Sequence, residues 1–333
     1  MVRLLNTLFS QATRAGASDI HIEPDEDRLR IRFRLDGVLQ ERMTADRKVA
    51  SALVSRLKLM GDLDIAERRL PQDGRFPLQI EGRRIDVRLS TMPTSHGESA
   101  VMRLLDQSAG LIGLAELGME EDTRAHFERM IHSPHGIVMI TGPTGSGKTT
   151  SLYAALKDIN QVDKKIITVE DPVEYQLPRV SQVQVRTQIE LTFGRVLRSA
   201  LRQDPDIVMV GEVRDLETAS IAVRAALTGH LVFSTLHTND APSTATRLID
   251  MGVEPFLIAS SLRGVVAQRL VRRVCASCKV ADTPSEPILH ALGMDPGEAQ
   301  ESTFYRGEGC AECNKTGSRG RIGIYELMEV DAG

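Results

Sequence analysis

The sequence predicts an α/β protein in two parts: a small α+β domain, then a larger domain whose mostly parallel sheet carries helices on both faces. Three observations carry this. Up to about residue 105, short runs alternate apolar and polar residues and meet at tight-turn dipeptides. From about Gly118, apolar runs alternate with stretches of helical period, the order that builds parallel sheets. Within that second part, Gly142-Pro143-Thr144-Gly145-Ser146-Gly147-Lys148-Thr149 fits G-x-x-x-x-G-K-[ST] at every position, with an apolar run before it and a helical pattern after it.

The elements follow in order. Leu4, Leu5, Leu8, Phe9 and Ala12 give the opening stretch one apolar face, so it reads as a short helix packed on its own domain. Residues 19–22 and 28–35 read as strands. In the second, Leu29, Ile31, Phe33 and Leu35 face one way and Arg28, Arg30, Arg32 and Arg34 the other. Asp36-Gly37 is a turn signal, 45–63 reads as a helix, and 75–80 with 83–90 form a hairpin around Glu81-Gly82. A further strand is expected at 99–105. The first domain is therefore 1–105, and 106–118, with three glycines, is a linker. In the second domain, 119–333, strands are expected at 136–142, 165–170, 206–211 and 231–236. Helices are expected near 123–132, 149–159, 192–203, 216–227 and 241–251. There are no internal repeats.

Composition excludes some classes. A net charge of −4 gives no global pull toward nucleic acid. Aromatics are 4% and Trp is absent, so platforms for stacking bases are scarce. The arginines of the first domain are matched by nearly as many acids. A zinc-ribbon DNA translocase is the competing class, and these features weigh against it. No signal-peptide pattern and no apolar run near 18 residues is present, which predicts no direct membrane insertion.

The chemistry rests on four groups of residues. In 142–149, glycines let backbone N–H groups curl around a phosphate, and the following helix adds its positive end. Lys148 is expected on the β- and γ-phosphates of ATP, Thr149 on Mg²⁺, and Thr150 beside them. The apolar run 207–210 ends in Gly211-Glu212, one residue later than the usual acid; Glu212 is the second candidate for Mg²⁺. Glu170, Asp171 and Glu174 crowd the end of a strand, where ligands of open α/β sheets bind. Such crowding predicts a nearby cation, and one of the three is expected to orient water. His230 and His237 bracket 231–236. Finally, Cys275, Cys278, Cys310 and Cys313 form two C-x-x-C pairs 31 residues apart. Four thiolates close a tetrahedral Zn²⁺ site, so 272–320 is expected to be a small lobe held by a structural zinc.

Together these segments resemble one family. GPTGSGKTT, TVEDPVEY, RQDPDIVMVGEVRDLETA and TGHLVFSTLHTND occur in the order found in secretion ATPases of the type II/type IV pilus superfamily. SDIHIEP, IRFRLDGVL, RLPQDGR, STMPTSHGESAVMRLL, EPFLIASSL, QRLVRRVC and GRIGIYEL extend the resemblance over nearly the whole chain. It implies a RecA-like ATPase core, Glu174 as catalytic glutamate, Glu212 as the Walker B carboxylate, and His230 and His237 in a functional histidine box. It also implies a homohexamer in which the first domain lends arginines to a neighbour's nucleotide; Arg88 and Arg103 match best. The implied function is the cytoplasmic ATPase motor of type II secretion, peripheral at the inner membrane through platform proteins and driving pseudopilus assembly. A type IV pilus assembly ATPase is the alternative. Members usually begin with a further domain that docks on the platform; this chain starts at the next one.

Overall fold

The computed structural model describes residues 2–108 and 110–330. Ala109, in the expected linker, and 331–333, at the end of the expected second domain, lie outside the described residues. The chain divides into two compact units, Met1–Gly110 and Leu111–Gly333.

In the first unit, α1 (Val2–Ala15) turns Leu5, Leu8, Phe9 and Ala12 inward. Then come β1 (Asp19–Pro24), β2 (Arg28–Leu35), β3 (Val38–Asp46), α2 (Ala50–Met60), β4 (Gln72–Ile80), β5 (Arg83–Thr94) and β6 (Gly97–Asp106). They form one antiparallel sheet in the order β3-β2-β1-β6-β5-β4. The alternation of β2 decides its orientation: Leu29, Ile31, Phe33 and Leu35 are buried in one core with α1 and α2, and the four arginines line the opposite face. One cross-strand row on that face runs Arg34, Asp19, Arg103, Arg88, Arg75.

Two local features differ from expectation. β3 is an edge strand with no buried residue, so it lacks the apolar alternation that marks its neighbours. It continues to Asp46, whose side chain accepts the Lys48 N–H and caps a short 3₁₀ turn. The helix therefore begins at Ala50 rather than at 45.

The second unit contains α3 (Glu121–Ile131), β7 (Gly136–Thr141), α4 (Lys148–Ile159), β8 (Ile166–Glu170), β9 (Val180–Gln184), α5 (Phe193–Ala200), β10 (Ile207–Val210), α6 (Leu216–Leu227) and β11 (Leu231–Leu236). It continues through α7 (Ser243–Asp250), α8 (Pro255–Ser261), β12 (Leu262–Val274), β13 (Lys279–Asp282), α9 (Glu286–Ala291), α10 (Pro296–Glu301), β14 (Phe304–Gly307) and β15 (Ser318–Glu329). Seven strands form a sheet in the order β15-β12-β7-β11-β10-β8-β9. All neighbours are parallel except β15, which returns antiparallel along β12. β7 is buried throughout and serves both faces. Val138 and Ile140 pack with Phe127, Met130, Leu152 and Leu156 of α3 and α4; Ile137 and Met139 pack with Ala222, Val223, Leu248 and Ile258 of α6, α7 and α8.

Part of the expected linker packs on this unit. Leu114 and Leu117 are buried in its core, the Tyr325 hydroxyl donates to Leu117 O (2.9 Å), and Lys157 Nζ donates to Leu111 O (2.7 Å). Beyond β12, β13 pairs with β14, and with α9 and α10 they fill the stretch between the two cysteine pairs.

Phe33 is 2% exposed in the first unit's core. Phe33→Ala should cost about 3–5 kcal/mol, read as a lowered midpoint of chemical denaturation. Val162→Ala, at a side chain 87% exposed, should stay within about 0.5 kcal/mol of the parent.

Candidate functional site

The site grows from the carboxyl ends of β7, β10 and β11, where a parallel sheet leaves its carbonyls and the following loops facing one crevice. β7 ends at Thr141, whose hydroxyl meets the Thr238 hydroxyl at 2.7 Å and accepts the Thr238 N–H at 2.8 Å. This ties the start of the 142–149 loop to the end of β11. Gly142, Gly145 and Gly147 have φ of +145°, +80° and +89°, in the region where a side chain is strained. At Gly142 a Cβ would also lie 2.4 Å from Gln268 O. Gln268, buried on β12, holds the loop from the other side by donating Nε2 to Ser146 O at 2.7 Å. Pro143, Thr144, Gly145 and Thr150 are exposed, and Gly147, Lys148 and Thr149 are half-buried where α4 begins. The backbone here has the shape of a phosphate cradle.

Lys148 Nζ donates to Gly142 O (2.7 Å) and Pro143 O (3.1 Å) and approaches His237 Nδ1 at 3.4 Å. His237 Nε2 lies 3.8 Å from Glu212, which is mostly buried and paired with Arg214. Lys148, His237, Glu212 and Arg214 thus form a continuous polar chain, with the imidazole between the Lys148 cation and the Glu212–Arg214 ion pair. With Nδ1 accepting from Lys148, the imidazole proton sits on Nε2, toward Glu212. Burial lowers the His237 pKa and the Lys148 cation lowers it further, against Glu212. Burial also lowers Lys148, against Glu212.

His230 does not join this group. It stands at the amino end of β11, about 23 Å of extended chain from His237 at the other end. There its Nδ1 donates to Ala225 O at 2.9 Å and fastens the end of α6.

The acid-rich segment begins at the end of β8, where Glu170 is 3% exposed and its carboxylate is ringed by hydrogen-bond donors. Tyr153 Oη and Thr168 Oγ1 donate to it, as does Gln182 Nε2 at 3.1 Å. Burial, then the Glu170 charge, push the Tyr153 phenol far up. Glu174 lies four residues on, half-buried in the irregular stretch between β8 and β9. Arg214, Gln268, Tyr153 and Gln182 were not singled out from sequence. Of these only Arg214 carried a signal: two residues past Glu212 in an extended segment, it points to the same side.

Arg88 and Arg103 lie in the first unit as a directly opposed pair on β5 and β6. Arg103 Nε donates to Asp19 Oδ1 at 3.1 Å, while its side chain remains 57% exposed.

The cysteines meet as one cluster. Their four Sγ atoms lie within 4.8 Å of one another. Cys275–Cys310, Cys278–Cys313 and Cys310–Cys313 are separated by 3.9, 3.8 and 3.7 Å. Those lengths far exceed an S–S bond of about 2.05 Å. They match the edge of about 3.8 Å expected for a tetrahedron with Zn–S bonds of about 2.3 Å. Backbone N–H groups of Gly309, Cys310 and Gly317 point at Cys278 Sγ or Cys313 Sγ, the support that thiolates on a metal use.

A glycine loop on a parallel sheet, a lysine at the start of the next helix and an acid at the end of a neighbouring strand define a phosphate-loop nucleotide-binding protein with a RecA-like core. Residues 1–333 match the family described as Type II/IV secretion system protein, and the chain belongs to it. It is 54% identical over 331 residues to the Type II secretion system protein E of Pseudomonas aeruginosa, covering 99% of this chain and 66% of that protein. To the Type II secretion system ATPase E of Vibrio cholerae serotype O1 it is 54% identical over 334 residues, covering 99% of this chain and 65% of that one. The chain therefore spans about two thirds of the length of these relatives. Among solved structures it is similar to the pilus retraction motor PilT with bound ADP: 27% identity, TM-score 0.64, covering 98% of this chain and 83% of that one.

Two measurements check the site. In an NMR titration, His237 should have its midpoint below the ordinary 6.5, so that it is neutral at pH 7. Lys148→Ala should raise that midpoint by removing a cation, and Glu212→Gln should lower it further by removing an anion. Elemental analysis under reducing conditions should find one Zn²⁺ per chain. Cys310→Ser should lose the metal and loosen 272–320 to proteolysis while the 142–149 loop stays protected.

Proposed function

We propose that this chain is an ATP-hydrolysing motor of type II secretion, acting as a homohexamer that drives pseudopilus assembly. The observation that carries this is the chain Lys148–His237–Glu212–Arg214 at the mouth of the phosphate cradle. A scaffold that only bound phosphate would have no use for an acid and a titratable ring beside the lysine. Lys148 neutralises the β- and γ-phosphates as a point charge. Thr149 and Glu212 are the residues that would hold Mg²⁺, which when bound neutralises charge on the phosphates. His237 keeps Lys148 and Glu212 apart and oriented, and Glu174 orients the attacking water. The cysteine cluster has all four donors turned to one point, so Zn²⁺ there would be structural rather than catalytic.

Arg88 and Arg103 act on the nucleotide of a neighbouring subunit. They are exposed or half-buried on a sheet face whose central row holds four arginines around the single Asp19. An arginine supplied in this way is worth about 10³–10⁵ in rate in other phosphoryl transfers. Rings put every active site at a boundary, so hydrolysis reshapes the assembly. Among the described residues no helix is long and apolar enough to cross a membrane. Attachment to the inner membrane would run through platform proteins, with the chain on the cytoplasmic side. Secretion rather than pilus assembly is favoured by the names of relatives 54% identical over 99% of the chain; co-purification with secretion-platform or pilus-platform proteins separates the two.

Lys148→Ala should abolish hydrolysis, and Glu174→Gln should bind ATP normally but turn it over slowly. Specific activity should rise with protein concentration as rings form. Mixing Arg103→Ala with Lys148→Ala chains should restore part of the activity, because some interfaces then contain both intact residues. Verified mixed rings without recovery, or full activity in a strict monomer, would rule out the arginine donated in trans.

A further inference from the structure

We infer that Gln182, backed by Tyr153, is a positioning residue that fixes the Glu174-bearing segment for hydrolysis. The inference rests on Glu174 being the carboxylate that orients water.

Residues 171–179 join β8 to β9 without regular structure, so no ladder of backbone bonds holds them. A catalytic side chain on such a segment needs other restraints, because a misplacement of about 1 Å can cost about 10²-fold in rate. Gln182 supplies them from the edge strand β9. Its Oε1 accepts the Leu177 N–H at 2.7 Å. Its Nε2 donates to Tyr175 O at 2.9 Å and to Glu170 Oε1 at 3.1 Å. One carboxamide thus links the segment at two points to the end of β8. Tyr153, buried on α4, closes the other side. Its hydroxyl donates to Glu170 and accepts the Tyr175 N–H at 3.5 Å. Its ring stands edge-on to Tyr175, centroids 5.9 Å apart. The peptide units flanking residue 175 are held from both sides, and Glu174 is the next residue. Tyr153 rides on the helix that begins at Lys148, so the phosphate loop and the acid-bearing segment share one anchor.

The residue type at 182 matters. A carboxamide offers both an acceptor for Leu177 and donors for Tyr175 and Glu170. A carboxylate there would meet Glu170 at hydrogen-bond distance, and the two could coexist only by sharing a proton.

The test is single-turnover ATP hydrolysis by the full chain, with nucleotide affinity and thermal unfolding measured alongside. Gln182→Met keeps the length and removes every bond. It should lower the hydrolysis rate about 10–100-fold with affinity unchanged and only a modest fall in unfolding temperature, since Glu170 keeps Tyr153 and Thr168 as donors. In the Glu174→Gln background it should cause no further loss, since both changes remove the same function. Gln182→Glu should gain rate relative to the parent as pH falls, because the shared proton restores a donor; Gln182→Met should show no such gain. If Gln182→Met folds poorly, Tyr153→Phe, which removes one hydroxyl, should show the same non-additivity with Glu174→Gln. Parental turnover in Gln182→Met, or losses that multiply with Glu174→Gln, would overturn the inference. Full turnover in Glu174→Gln alone would remove the reading beneath it, and that single variant distinguishes the two failures.

Discussion

The Thr141 hydroxyl ties β7 to β11 where both strands run out, and the use of this crevice for a phosphate depends on that tie. The loop that follows has three glycines at positive φ, and within it only the Lys148 side chain reaches back to the Gly142 and Pro143 carbonyls. It keeps its shape because Thr141 and Thr238 fix one margin and Gln268 fixes the other. The hydroxyl–hydroxyl and amide–carbonyl bonds are buried, so breaking any one would strand a partner without water. Lys148 begins α4 from this fixed base, and His237 and Glu212 reach it from the next two strands of the sheet. The register between parallel strands, set by buried Val, Ile, Leu and Phe side chains, therefore sets the spacing of the charges.

The cradle was legible in the sequence because its demands fall on the backbone. A phosphate needs N–H groups at close range, only glycine allows that curl, and the pattern survives in one short stretch of chain. The cysteine cluster was legible for a similar reason: a metal dictates donor type and local spacing. Glu212 and His237 were placed by the strands they terminate. His230 and His237 flank the same strand, and the rule that ligands of a parallel sheet gather at its carboxyl ends singles out His237.

What stayed hidden depends on distant partners. The donors that reach Glu170 come from α4, β8 and β9, and no local pattern connects them. β12 follows α8 without a glycine or proline between them, and its second half is exposed and arginine-rich. It therefore has neither the punctuation nor the uniform apolar character of β7. β3 escaped notice because an edge strand buries too little to show a period. In each case the decisive information lies in which other strand or helix arrives alongside.

β12 has one more consequence. Gln268 near its middle touches the phosphate loop, and the strand continues to Val274, one residue short of the first cysteine. From Gln268 to Cys275 is about 23 Å of extended chain, stiffened by β15 lying antiparallel beside it. Held by β7 as far as Ala267 and by β15 throughout, the ribbon projects from the sheet as a stiff arm. A tilt of a few degrees at the loop becomes a displacement of an ångström or more at the cysteine cluster. The cysteine cluster therefore sits at the far end of the strand whose middle braces the glycine loop, so the loop and the cluster share one rigid element.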